Sequence, residues 1–114
     1  MAIEKFEDII SWQKGKELVV LIYRAFNSNR DYSFIDQIKR ASVSITNNIA
    51  EGFERRSNKE FKQFLYIAKG SCGEVRSMVS IALELKYVSK DEFKKLNDSS
   101  VEISKLISGL IKTL

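Results

Sequence analysis

The residues best suited to chemistry form a short basic stretch near the middle of the chain. Four cations fall within eight positions there: Arg55, Arg56, Lys59 and Lys62. Arginine forks and lysine ammonium groups can engage phosphates, and a helix that starts nearby adds free backbone N–H groups. The stretch is therefore a candidate nucleic-acid contact. A second interpretation stays open, in which it is a solvated turn whose arginines pair with neighbouring glutamates.

The other polar residues give little support to catalysis. The chain has no histidine, which removes the commonest general base and the commonest transition-metal ligand. Glu51 and Glu54 stand three residues apart, but the Glu-x-x-His pairs of di-iron bundles are absent. The single cysteine, Cys72, lies on an apolar stripe, which favours packing over a role as nucleophile. We therefore expect no enzymatic activity, no metal site and no cofactor.

Length and composition indicate one folded domain over residues 1–114. The chain is 44% hydrophobic and 30% charged, which is typical of a globular protein rather than a disordered one. It contains no proline and five glycines, and this favours a few long helices over many short strands. The net charge of +4 is spread along the chain without a basic tail, so one copy alone has a weak electrostatic footprint for nucleic acid.

Four amphipathic segments are predicted to be helices, because their apolar residues recur at steps of three and four. Capping residues mark the expected helix starts, at Asp8, Ser33, Ser57 and Ser89. Gly52 is expected to end the second helix. Because short connectors place neighbouring helices antiparallel, the sequence predicts an all-α, antiparallel up-and-down four-helix bundle.

Two features favour self-association into a ring-like homo-oligomer. The third helix carries two adjacent apolar stripes, a face too wide for one partner helix. The second helix has small and hydroxyl side chains in its middle, including Ser42, Ser44 and Thr46, which would let another helix approach closely. Gly70 and Gly73 lie within the third helix and suggest either a close helix–helix approach or a local bend. Closed symmetric assemblies are the usual way to cover extra apolar surface. The alternative is that a monomeric bundle uses all of this surface internally.

The N-terminal stretch, Met1 to Asp8, lacks the basic-then-apolar order of a secretory leader. The longest unbroken apolar run, Leu18 to Tyr23, is far too short to span a bilayer. These observations predict a cytoplasmic protein with no membrane partner.

Two linked motifs carry a resemblance to a known family. The first runs from Ser44 and Ile45 to the segment Asn48-Ile49-Ala50-Glu51-Gly52, followed by Arg55 or Arg56. The second includes Glu60-Phe61, Phe64-Leu65, Ile67-Ala68, Gly70-Ser71 and Glu74. In these motifs the chain resembles the bacterial four-helix-bundle proteins of the 23S rRNA intervening-sequence family. The accessory proteins of diversity-generating retroelements are similar to that family.

The resemblance implies an up-and-down bundle assembled as a homopentamer around a central channel. In the retroelement branch it implies a basic barrel that works with a reverse transcriptase and nucleic acid. Carried over to this chain, the motif positions are Asn48, Glu51, Gly52 and Arg55 or Arg56. Two roles stay open for these residues, in stabilising the fold or in forming a binding site.

The leading functional hypothesis is a non-enzymatic, nucleic-acid-associated accessory or scaffold protein. Its basic stretch would contact RNA or DNA phosphates weakly and with little regard to sequence. The competing hypothesis is a purely structural oligomer that binds another protein.

Overall fold

The structure, a computed structural model, describes residues 3–114, and within that range the secondary structure is helical with no β-strand. A 3-10 turn, Phe6–Asp8, precedes four α-helices: α1 (Ile10–Ala25), α2 (Tyr32–Phe53), α3 (Asn58–Glu84) and α4 (Lys90–Lys112). Met1 and Ala2, which open the stretch considered above as a leader, lie outside the described residues. The predicted all-α class with four helices is confirmed.

Each helix packs against two neighbouring helices, and the diagonal pairs, α1 with α3 and α2 with α4, do not pack together. The packed pairs are α1 with α2, α2 with α3, α3 with α4, and α4 with α1. Ser44 of α2 meets Ser71 of α3, whereas Gly52, two turns later in α2, meets the earlier Phe64, so these helices run antiparallel. The molecule measures 43 × 22 × 19 Å, as expected for helices aligned along one axis.

The apolar stripes of the helices meet in one continuous core. Apolar residues on one face of α2, α3 and α4 are buried, including Ile38, Ile45, Leu65, Val75, Ile103 and Ile107. The second predicted stripe of α3 is only partly buried, since Ile67, Ile81 and Leu85 are exposed. For α1 the spacing predicts a core line through Ile9, Trp12, Lys16, Val19, Tyr23 and Phe26, widened by Leu18 and Ile22. Ile9, Leu18, Ile22 and Phe26 are buried as predicted, whereas Lys16 and Tyr23 face solvent. Gly15 explains this orientation: a Cβ there would lie 2.9 Å from the Thr46 methyl carbon, so α1 packs on α2 with its glycine side.

The starts of α3 and α4 follow the predicted caps. The hydroxyl of Ser57 accepts a hydrogen bond from the Glu60 N–H at 3.2 Å. Ser89 forms a complete capping box with Glu92, through bonds of 3.1 and 2.9 Å. Each bond satisfies a backbone N–H that the first helical turn leaves unpaired.

The predicted starts of α1 and α2 are wrong. The α1 helix begins at Ile10, and Asp8 belongs to the preceding 3-10 turn. Asp31, not Ser33, caps α2, with its carboxylate accepting the Phe34 N–H at 3.2 Å. The other carboxylate oxygen of Asp31 accepts the Tyr87 hydroxyl at 2.7 Å. This tertiary contact, from 56 positions away, favours Asp31 over the serine.

The glycines also differ from expectation. Gly52 does not terminate α2, which continues to Phe53; it is buried and has no positive φ. A Cβ at Gly52 would lie 2.6 Å from the Phe64 Cβ, so glycine is needed there for the approach of α3. At Gly70 and Gly73 an added Cβ would meet nothing within 4 Å, so the predicted close approach within the bundle is absent. The only described non-glycine residue with positive φ is Lys86, at 62°, just after α3.

Candidate nucleic-acid interface

The basic stretch forms the corner between α2 and α3. Arg55 and Arg56 lie in the four-residue turn between Phe53 and Asn58, and both are exposed. The two arginines line an open depression of about 510 Å³ at this end of the bundle, together with Phe53 and Phe61. The remaining lining residues are Ile3, Ser57, Asn58, Leu110, Thr113 and Leu114. None of the lining side chains is acidic.

Arg55 makes contacts within its own corner. Its guanidinium lies 3.2 Å from the Glu51 carboxylate and 4.8 Å from the centre of the Phe64 ring. The open alternative, in which an arginine of the stretch pairs with a glutamate, is therefore correct for Arg55. Both members of this ion pair are about half exposed, so the pair adds little stability and leaves the guanidinium accessible.

The other three cations of the stretch are arranged differently. Arg56 and Lys59 are exposed, and neither forms a salt bridge among residues 3–114. Lys59 and Lys62 lie in the first turns of α3 and do not line the depression. The structure therefore brings the two arginines together and leaves the two lysines on the flank of α3.

The family-motif residues lie along the contact between α2 and α3. Asn48 is half-buried, and its Nδ2 donates to the Ser44 carbonyl oxygen at 2.8 Å and the Ser44 hydroxyl at 2.9 Å. The Ser44 hydroxyl in turn lies 2.9 Å from the Ser71 hydroxyl. Glu51 pairs with Arg55, and Gly52 allows the close approach described above. Ser71 was identified from the sequence as a position of the second motif, but its contact with Ser44 was not predicted.

The thiol of Cys72 is fully buried in the core. Burial raises its pKa from 9.0 to about 11, a shift that the nearby charges of Lys69 and Arg76 oppose only in part. The protonated thiol therefore predominates at neutral pH, and it is a poor nucleophile and a poor metal ligand. Within the described part of the chain, no three or more His, Cys, Asp or Glu side chains come together in a way that could hold a metal ion.

Over residues 3–114, no helix combines the length and the apolar character needed to cross a membrane.

Together, these features define a small antiparallel four-helix bundle with a polar contact between α2 and α3 and a basic corner at one end. Residues 7–109 match the family model of the 23S rRNA-intervening sequence protein, and the chain belongs to that family. A comparison with curated proteins finds no match.

The fold is also similar to a solved structure. A protein of unknown function from the S23 ribosomal protein family of Bacteroides thetaiotaomicron VPI-5482 superposes with a TM-score of 0.85 at 27% sequence identity. The match covers 90% of this chain and 99% of that protein.

Proposed function

We propose that this protein is a non-enzymatic accessory or scaffold protein that self-associates and contacts the phosphates of RNA or DNA at its α2–α3 corner. The observation that carries the proposal is the depression that is lined by both Arg55 and Arg56 and by no acidic side chain. Both guanidinium groups are accessible, and the N-terminus of α3 begins within the same lining at Asn58. A phosphate group fits this combination of forked cations and free backbone N–H groups.

The expected binding is weak and directed at the backbone of the nucleic acid. With a net charge of +4, one copy neutralises few phosphates. Such contacts release counterions, so the affinity falls as salt rises, and they carry no base information. With such a partner, we expect the protein to be cytoplasmic.

Exposed apolar side chains support self-association. On α3 the exposed residues include Ile67, Ile81 and Leu85; on α1 they include Ile10 and Val20. Since α1 and α3 occupy diagonal positions of the bundle, these apolar faces point in different directions. An interface that joins two different faces is heterologous and closes into a ring when the rotation permits. A homopentameric ring, as the family resemblance implies, fits this arrangement better than a two-fold dimer.

A ring would also repeat the basic corner around its axis. Copies of a weak site on one rigid body bind a long polyanion with far higher avidity than a single copy. In this property the proposed protein parallels the accessory proteins of diversity-generating retroelements, to which the resemblance relates the family.

The test is binding of purified protein to a labelled structured RNA, measured by fluorescence anisotropy from low to physiological salt. We expect the double variant Arg55→Ala/Arg56→Ala to lose most of the affinity and to flatten the salt dependence. The matched control is Arg24→Ala/Arg30→Ala, which removes the same charge at the opposite end of the bundle and should retain binding. Equal losses in both variants, or no binding by the wild type at low salt, would refute a role for the corner.

A second candidate function is a structural oligomer that binds another protein. The observation that favours it is the exposed apolar line of α3, where Ile67, Ile81 and Leu85 are each about half exposed and Tyr66 is 60% exposed. Light scattering together with the RNA titration separates the two functions. Under the second candidate the protein oligomerises through its apolar surface but does not retain RNA at any salt concentration.

A further inference from the structure

Three cations of α3 are spaced seven residues apart, namely Lys62, Lys69 and Arg76. A separation of seven residues is nearly two full turns, so the three share one face of the helix and extend over about 21 Å, at about 1.5 Å per residue. The Lys69 ammonium donates to the Ser104 hydroxyl of α4 at 3.0 Å, which places this face beside the groove between α3 and α4. We refer to these three residues as the basic stripe.

The residues of the basic stripe form no salt bridge within residues 3–114. Helical side chains interact with those three and four positions away, and no acidic residue occupies any such position relative to the stripe. The salt bridges among residues 3–114 are Arg40–Asp36, Arg55–Glu51 and Lys94–Asp98, each with an acid four positions from the cation. The stripe residues form none of these salt bridges, as is true of most cations in residues 3–114, and they lack an acid one helical turn away.

The facing side of α4 adds no acidic group to the groove. Antiparallel packing at Ser104 sets Asn97 and Ile111, seven residues to either side, along the same face of α4. The acidic residues Asp98 and Glu102 instead line the groove between α4 and α1, next to Lys14. These acids of α4 thus lie on its α1 side, together with Lys14 and Lys95, and away from the basic stripe.

We infer that the basic stripe is a binding track for the sugar-phosphate backbone of a nucleic-acid strand. The exposed ring of Tyr66 lies one turn from both Lys62 and Lys69 and offers a surface for base stacking. Beside these residues, Gly70 and Gly73 carry no side chain and have open space around them, so a strand can approach the helix closely. A length of about 21 Å matches about six stacked nucleotides at about 3.4 Å each.

Charge alone would also attract an acidic protein. The combination of regularly spaced cations, hydroxyl and amide donors and an exposed aromatic ring favours nucleic acid, since stacking on an aromatic ring is a property of bases. The inference rests on the nucleic-acid class of partner proposed above, but it does not depend on Arg55 or Arg56.

The test measures binding of a short labelled oligouridine to wild-type protein and to the triple variant Lys62→Gln/Lys69→Gln/Arg76→Gln. The matched control is Lys16→Gln/Arg24→Gln/Arg30→Gln, which removes the same charge from exposed positions outside the groove. Loss of three single-strand phosphate contacts lowers the slope of log K against log salt by about 2. From about 50 to about 200 mM salt, the wild type should therefore lose about 20-fold more affinity than the stripe variant.

Substitution of Tyr66 tests base stacking separately from the charge of the basic stripe. Tyr66→Ala should weaken oligouridine binding about fivefold or more at every salt concentration, and Tyr66→Phe should restore it, because the ring is kept. Circular dichroism melting establishes that each variant is folded.

The outcomes separate this inference from the proposed function. Loss of binding in the stripe variant alone supports the track and shows that Arg55 and Arg56 are not the phosphate contact. Loss in the Arg55/Arg56 variant alone overturns the track and retains the proposed function. No binding by the wild type, equal effects of the stripe and control variants, or tighter binding of polyglutamate than of RNA would also overturn the track.

Discussion

Replacing Gly52 with alanine tests the contact between α2 and α3 at its closest point. The new Cβ would lie 2.6 Å from the Phe64 Cβ and 3.0 Å from the Phe61 Cδ1, whereas ordinary contact begins at 3.4 Å. The Phe64 Cβ is attached directly to its backbone and cannot swing aside. The two helices must therefore separate locally by about 0.8 Å, the difference between 3.4 and 2.6 Å.

The size of the effect follows from two opposing terms. Overpacking a tight core contact costs about 1–3 kcal/mol, and the rigidity of both atoms places Gly52→Ala near the upper end. Alanine recovers about 1 kcal/mol of helix propensity over glycine. The net expectation is a loss of about 2 kcal/mol in the free energy of unfolding. The same substitution at Gly70 meets no atom within 4 Å, so it should gain about 1 kcal/mol.

Urea and thermal unfolding at one fixed protein concentration measure both variants, because the stability of an oligomer depends on concentration. At roughly 4 °C per kcal/mol, Gly52→Ala should lower Tm by roughly 8 °C and Gly70→Ala should raise it by roughly 4 °C. The opposite signs are the decisive result. If Gly52→Ala were as stabilising as Gly70→Ala, the close-approach explanation of Gly52 would be wrong.

Two further predictions concern the thiol of Cys72 and the side-chain amide of Asn48. Because the pKa of Cys72 is raised from 9.0 in the unfolded chain to about 11 in the fold, its thiol favours folding fully below pH 9, and this contribution is lost as pH rises towards 11. Stability should fall by roughly 1.4 kcal/mol per pH unit in that window, and by clearly less in Cys72→Ala; parallel curves for the two proteins would contradict this. Asn48→Ala should cost about 1–2 kcal/mol in urea unfolding through its lost bonds to Ser44, and the exposed neighbour Asn47→Ala should stay within about 0.5 kcal/mol; similar losses at both positions would argue against the Ser44 contact.

Sequence periodicity predicted most of the fold, since burial of an apolar stripe determines where each helix packs. The cap at Ser57 and the capping box at Ser89 could be predicted because their partners lie three positions away in sequence. The cap at Asp31 was not predicted, because the second partner of its carboxylate, Tyr87, is distant in sequence. Gly52 was predicted to end α2 because glycine is common at helix ends. Its actual role depends on the close approach of Phe64 from α3.

The candidate site was only partly accessible to sequence reasoning. Clustering along the chain identified Arg55 and Arg56 but joined them to Lys59 and Lys62, which the rotation of α3 carries away from the depression. The basic stripe was overlooked because its members are seven residues apart and do not form a cluster in sequence. Its signal is the absence of acidic residues three and four positions from each cation.

The order in which the helices pack has a consequence for the folding pathway. Three of the four helix pairs join neighbours in the chain, and α2 with α3 is the most extensive; only α1 with α4 joins distant segments. Loop closure is least costly for the local pairs, so we expect the α2–α3 hairpin to form first and α1 to dock on α4 last. In native-state hydrogen exchange, amides of α1 and α4 should then open before those of α2 and α3, and the reverse order would contradict this pathway. Partial unfolding of this kind would separate the outer helices while the hairpin that bears the basic corner remained intact.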